Sequence, residues 1–289
     1  MASQDFDSSS KRPHQPGVRR YVRKHYAIPP EHGAWVWWIG PLIVGAAAGG
    51  TLHADFIVLI VTALAAFLVR QPLTLLVKVL SGLRPASDRA PAIFWSAIYG
   101  GICAVGAAGL VALGHARVLL LGLLAAPLLL RYFFLVSRKS ERHQRGMEYA
   151  TAAVLALALP AAYWVCGGAS SFEPWILWGL VTLHSVTTVI HVSKILELRR
   201  TKRLQDLRDA RRVLALTLPF AAVCLIAAGI CASMGFVSWI AVAAFLVPIA
   251  DISQSGIQPP AGIKPTQLGL RQLATSSLFV VLMAIAVIH

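Results

Sequence analysis

Apolar runs fill this chain from residue 34 almost to its end, and most of them are close to 20 residues long. A helix rises 1.5 Å per residue, so about 20 apolar residues cross the hydrocarbon core of a bilayer. Inside lipid, only helices and closed barrels satisfy every backbone N–H and C=O. The runs lie near 34–52, 56–80, 91–113, 117–137, 148–167, 174–195, 213–232, 236–251 and 271–288, and none alternates apolar and polar residues as a barrel strand does. The sequence therefore predicts an all-α, polytopic transmembrane helical bundle with about nine spanning helices. Charged residues make up 13% of the chain, against about 25% in a soluble domain. That deficit excludes a soluble domain held by a single anchor. The second run is long enough to tilt or project, whereas the eighth is short and ends at Pro248 and Asp251.

A formal net charge of +14 would suit nucleic acid if a soluble basic fold carried it. Here the basic residues flank the apolar runs, where topology and anionic lipid headgroups account for them. The expected partner is the bilayer, not nucleic acid. Lys11, Arg12, Arg19, Arg20, Arg23 and Lys24 precede the first run. Lys78, Arg84 and Arg89 follow the second, and Arg138, Lys139, Arg142 and Arg145 the fourth. Arg199 to Arg212 follow the sixth, and Lys264 and Arg271 the eighth, while the alternate loops carry Arg117 alone. Positive residues mark the cytosolic side. The expectation is a cytoplasmic (inner) membrane protein with its N-terminus in the cytosol and its C-terminus outside. Residues 1–27 read as a disordered, basic tail at the membrane surface, and 28–289 as one transmembrane domain. With no cleavable signal visible, the first span serves as its own signal. Cys103, Cys166, Cys224 and Cys231 form no CxxC pair, and a disulfide framework is not expected.

Polar residues within or beside the spans are the candidate site. Glu31 and His32 stand at the mouth of the first helix, ahead of Trp35, Trp37 and Trp38; on spacing alone a cap followed by an aromatic belt is the favoured reading, and a site the alternative. Arg70 lies roughly 12 Å deeper than Lys78 at helical rise, and it shares a face with Thr74. Pro72 is expected to distort that helix. Arg131 and Arg138 share a face seven residues apart, Glu141 can pair with its arginine neighbours, and Glu148 begins the fifth helix. His184, Thr188 and His191 form a polar stripe that Lys194 continues toward Glu197. Two histidines about 10.5 Å apart along a helix axis do not make one metal site, and no metal ligand set is assigned. Gly and Pro between Ala250 and Gln272 predict a folded-back loop, with Asp251, Lys264 and Arg271 closing over the same cavity. Proton transfer falls to Glu31, His32, Glu148 or Glu197. Binding of an anion falls to Arg70, Lys78, Arg131, Arg138, His191, Lys194, Asp251 and Arg271. No Walker loop, GxSxG or zinc motif is present.

The stretch Pro30-Glu31-His32-Gly33-Ala34-Trp35 resembles the opening signature of the YwiC-like family of bacterial membrane proteins. Arg70-Gln71-Pro72-Leu73 and the neighbourhood of Glu141-Arg142 fit that family too, and the resemblance runs from about residue 28 to the end. In layout the chain also resembles the UbiA-type prenyltransferases, nine-helix proteins whose site loops follow helices 2, 4, 6 and 8. That resemblance implies magnesium held by two aspartate-rich motifs against a prenyl diphosphate. Asp206 and Asp209 match the second motif in part. The first is absent, with Asp88 alone in its loop and Arg70 and Lys78 in its region. The implied activity is a UbiA-like transferase or lipid-processing protein that takes an isoprenoid or anionic lipid by its diphosphate-type head. The alternatives are an anion transporter and a non-catalytic partner of a membrane complex. Small residues in GAAAGG and GGICAVGAAG permit the close helix packing such a partner would use.

Overall fold

The computed structural model describes residues 21, 23–29, 34–139, 145–169, 171–200, 208, 211–212, 215–258 and 265–288. Among these the regular structure is helical throughout. In chain order the helices are α1 Lys24–Ala27, α2 Ala34–Gly49, α3 Asp55–Leu80, α4 Arg89–Ala112, α5 Val118–Ser137, α6 Arg145–Leu155 and α7 Ala158–Val165. They continue as α8 Glu173–Arg200, α9 Leu218–Ser233, α10 Ile240–Ile257 and α11 Pro265–Ala286. Taking α6 with α7 as one segment, seven helices are long and apolar enough to cross a bilayer. Trp35–Gly49 and Leu218–Ser233 are apolar but shorter, so a count of nine depends on these two.

Prolines set several of the boundaries. The fifth run breaks into α6 and α7 because Pro160 has no N–H to offer the Ala156 carbonyl four residues back. The chain tightens there instead: Leu157 N–H donates to Val154 and Leu159 N–H to Ala156, each a three-residue step. Pro72 and Pro248 do not interrupt their helices. α3 runs unbroken for 26 residues, and α10 continues past Pro248 to Ile257. The expected loop from Ala250 to Gln272 is therefore corrected. α10 absorbs its first part, and α11 begins at Pro265, a residue suited to a first helical position because that N–H needs no partner.

α2 joins two packed cores. On one side Val44 meets Leu177, Phe245, Phe279 and Met283 from α8, α10 and α11. On the other, Trp38 and Leu42 meet Leu59, Phe67, Leu121 and Val165 from α3, α5 and α7. α8 and the α6–α7 segment are the central members, each 50% buried over its most apolar window. The α4 segment is 11% and α5 17% buried over the same length, so both turn most of their surface outward, as lipid-facing helices do. The segment before α2 is packed too. Tyr26 is 3% exposed and donates to Asp88 at 2.6 Å. Trp95 donates to the Tyr21 carbonyl at 2.8 Å, and Tyr99 to the Ala27 carbonyl at 3.1 Å.

Candidate functional site

Four helix ends enclose a cavity of about 780 Å³. The first turns of α2 and α6 supply Val36, Trp37 and Glu148; the last turns of α8 supply Thr188, Val192, Ser193 and Leu196 among others; the start of α11 supplies Leu268, Gln272 and Ser276 among others, while His191, Lys194 and Arg271 are not in the lining. Each of these ends adjoins one of the basic loops, so the cavity lies at the basic end of the bundle. Its walls are largely aliphatic. Ser193 donates to Glu148 Oε2 at 3.4 Å, which puts a carboxylate and a hydroxyl on an apolar surface.

Behind this cavity lies a smaller pocket bounded by His184, Thr188, His191, Pro248, Asp251, Ile252, Gln272 and Thr275. The polar stripe expected on α8 thus faces one place. Asp251 is buried and its carboxylate is held at both oxygens. Arg271 Nε donates to Oδ1, and Gln272 Nε2 donates to Oδ2 at 3.0 Å. Arg271 Nη2 also reaches the Asp251 carbonyl at 3.0 Å and Gln254 Oε1 at 3.2 Å. Asp251 and Arg271 do come together, within helices rather than in a loop, and they neutralise each other. His191 Nδ1 lies 3.3 Å from Thr217 Oγ1, and His184 stacks on Phe279 with ring centres 3.6 Å apart.

The other expected residues lie elsewhere. Arg70 sits over the Tyr132 ring at 5.6 Å, which joins α3 to α5. Arg138, at the end of α5, sits over Phe134 at 5.3 Å. Arg70, Lys78, Arg131 and Arg138 are not among the residues lining the cavity. Lys194 pairs with Glu197 at 3.4 Å, one turn along α8. Glu31, His32, Glu141, Asp206, Asp209 and Lys264 lie outside the described residues. The site residues the sequence reading missed are Ser193, Gln254 and Gln272. A glutamine inside an apolar run was the available signal for Gln272, obscured because the stretch read as a loop.

Residues 28–163 match the YwiC-like protein family. No curated protein and no solved structure matches the chain. The YwiC-like match stops at Tyr163, near the end of α7, and so covers less than the expected span to the C-terminus. The YwiC-like segment contributes Val36, Trp37 and Glu148 to the cavity, while α8 and α11, beyond it, supply the remaining wall, and α10 and α11 supply the Asp251–Arg271 pair. The chain is a multi-pass helical membrane protein with a YwiC-like N-terminal part. Of the aspartates that the UbiA-type resemblance brings forward, Asp88 alone lies among the described residues. Asp88 gives one oxygen to Tyr26 and the other to Arg84 at 2.9 Å, and no group of three His, Cys, Asp or Glu side chains among the described residues is placed to hold a metal.

Proposed function

We propose that the protein binds an amphipathic lipid, an isoprenoid or acyl chain with an anionic head, in the cavity between α2, α6, α8 and α11, and acts on it as a transferase or lipid-processing enzyme. The observation that carries this reading is the cavity itself. Its volume of about 780 Å³ lies within the roughly 300–1,000 Å³ of small-molecule sites, its walls suit a hydrocarbon chain, and its acidic group, Glu148, stands in the first turn of α6, at the basic end. In this reading that end faces the cytosol from the inner membrane, and the surrounding Lys and Arg attract the anionic head. Glu148, held by Ser193, is the group available for proton transfer.

A ligand that binds only the folded protein raises its unfolding midpoint, by about 2.7 kcal/mol at a hundred times its dissociation constant. Geranylgeranyl diphosphate, inorganic diphosphate and a fatty acid, each with and without magnesium, form the test panel in detergent. We expect stabilisation by the prenyl diphosphate and none by diphosphate alone, and we expect Leu196→Trp, which fills the cavity from an exposed position on α8, to remove the effect. Stabilisation unaltered in Leu196→Trp rejects this cavity as the site. The absence of any shift across the panel rejects the lipid reading.

A further inference from the structure

The pocket behind the cavity is more polar than a site walled by packed helices requires. His184 is 6% and His191 1% exposed, yet both ring nitrogens of His184 and Nε2 of His191 have no hydrogen-bond partner among the described residues. Leaving a buried polar atom unsatisfied costs about 1–3 kcal/mol. Stacking on Phe279 orients the His184 ring but satisfies neither nitrogen. The two rings share the pocket with Thr188, Asp251, Gln272 and Thr275, and its free volume is about 10 Å³, on the scale of one water. Thr188 and Gln272 belong to both this pocket and the large cavity, so the two adjoin.

We propose that the pocket holds an ordered water linking His191 to the Asp251–Arg271 pair, and that His191 is a proton-exchange site reached from the cavity at the basic end. With its Nδ1 proton donated to Thr217 Oγ1, the neutral ring accepts from the water at Nε2, and the water's second hydrogen is directed to the Asp251 carboxylate or to Gln272. On proton uptake the water passes a proton to Nε2 and takes one from the cavity past Thr188 and Gln272. Only N–H and O–H bonds change. The charged groups around the ring are few. α10 contributes Asp251, α11 contributes Arg271, α8 contributes Lys194 with its partner Glu197, and Glu148 of α6 faces the adjoining cavity. Among the described residues lining the pocket, Asp251 is the carboxylate that the water can meet.

The test is water-edited solid-state NMR on the full chain, labelled with 15N-histidine and 13C-phenylalanine, in phosphatidylcholine vesicles. His191 is assigned by its loss in His191→Gln or, should that variant not fold, by its correlation to Thr217. We expect magnetisation to pass from water to the His191 ring several-fold faster than to Phe279. We also expect the ring to gain imidazolium character as the pH is lowered, and the transfer from water to the ring to slow in Asp251→Asn, which removes an anchor of the water. A build-up at His191 as slow as at Phe279 overturns the proposal, and so does a ring that stays neutral throughout. Both wild-type outcomes decide it even if Asp251→Asn does not fold, and neither depends on which lipid the cavity takes.

Discussion

A charge inside an apolar helix must find a partner, because its desolvation costs more than a helix gains by burying it alone. Asp251 and Arg271 show the rule at residue scale, their side chains 7% and 23% exposed. Removing one partner of such a pair leaves an uncompensated charge and costs about 3–5 kcal/mol. Arg271→Leu should lower the unfolding midpoint of the purified protein by that order. Adding Asp251→Asn should recover much of the loss, because the double variant has no orphan. Equal stability of Arg271→Leu and wild type would mean that Gln272 alone satisfies the carboxylate. This pairing was half legible. Each residue stood out in the sequence as a charge near apolar surroundings, and both were expected at one cavity. That each is the other's partner was not readable, because a Gly- and Pro-rich stretch separates them and the way it folds determines whether they meet. Arg70 shows the reverse. Its depth was plain, but a Tyr132 ring facing it at 5.6 Å is a contact between distant runs that spacing does not encode.

At the scale of elements, small residues determine which helices touch. The reading of GAAAGG as a packing stripe fits α2. A methyl group at Gly45 would collide with the backbone carbonyl of Leu159 on α7, and one at Gly49 would lie 2.7 Å from Cys166 Cβ. In the GGICAVGAAG stripe of α4, Gly106 abuts Thr62, but Gly100 and Gly101 have nothing within 4 Å. The same composition thus serves contact in one helix and open surface in another, a difference that appears only once neighbours are known. Backbone cannot yield as a side chain does. Gly45→Ala should therefore cost about 1–3 kcal/mol, as overpacking does. Gly101→Ala should be neutral or stabilising by up to about 1 kcal/mol, through helix propensity alone. Thermal midpoints of the two variants separate the cases, and a loss in Gly101→Ala would show that another surface covers that face. Element ends are less legible than element existence: each apolar run forms helix, the fifth in two pieces, yet Pro248 reads as a stop and does not end α10, while Pro160 reads as no stop and parts α6 from α7. A proline breaks a helix or sits within it according to whether the carbonyl it deprives and the space around its ring can be accommodated, and that is decided by packing.

For the whole molecule, the question is how many times the chain crosses. Between Ser81 and Ser171 lie α4, α5 and the broken α6–α7 segment, three crossings if the two short pieces act as one. Ser81 and Ser171 are exposed and should then stand on opposite sides. α8 returns the chain to the basic side, and α9, though only 16 residues or roughly 24 Å at helical rise, must cross again to carry Met234 to the side of Ser171. The orientation expected from the positive-inside bias has Ser81 in the cytosol. In a background with the four native cysteines replaced, a membrane-impermeant maleimide applied to intact cells should label Ser171→Cys and Met234→Cys, and should label Ser81→Cys only after lysis. Labelling of Ser81→Cys alone would invert the molecule and put the cavity on the outer face. Labelling of Ser171→Cys without Met234→Cys would make α9 a helix that dips in and returns. Eight crossings would put the end of α8 and the start of α11 on opposite sides, which their meeting in one cavity does not allow, so that outcome would overturn the packing of α8 against α11.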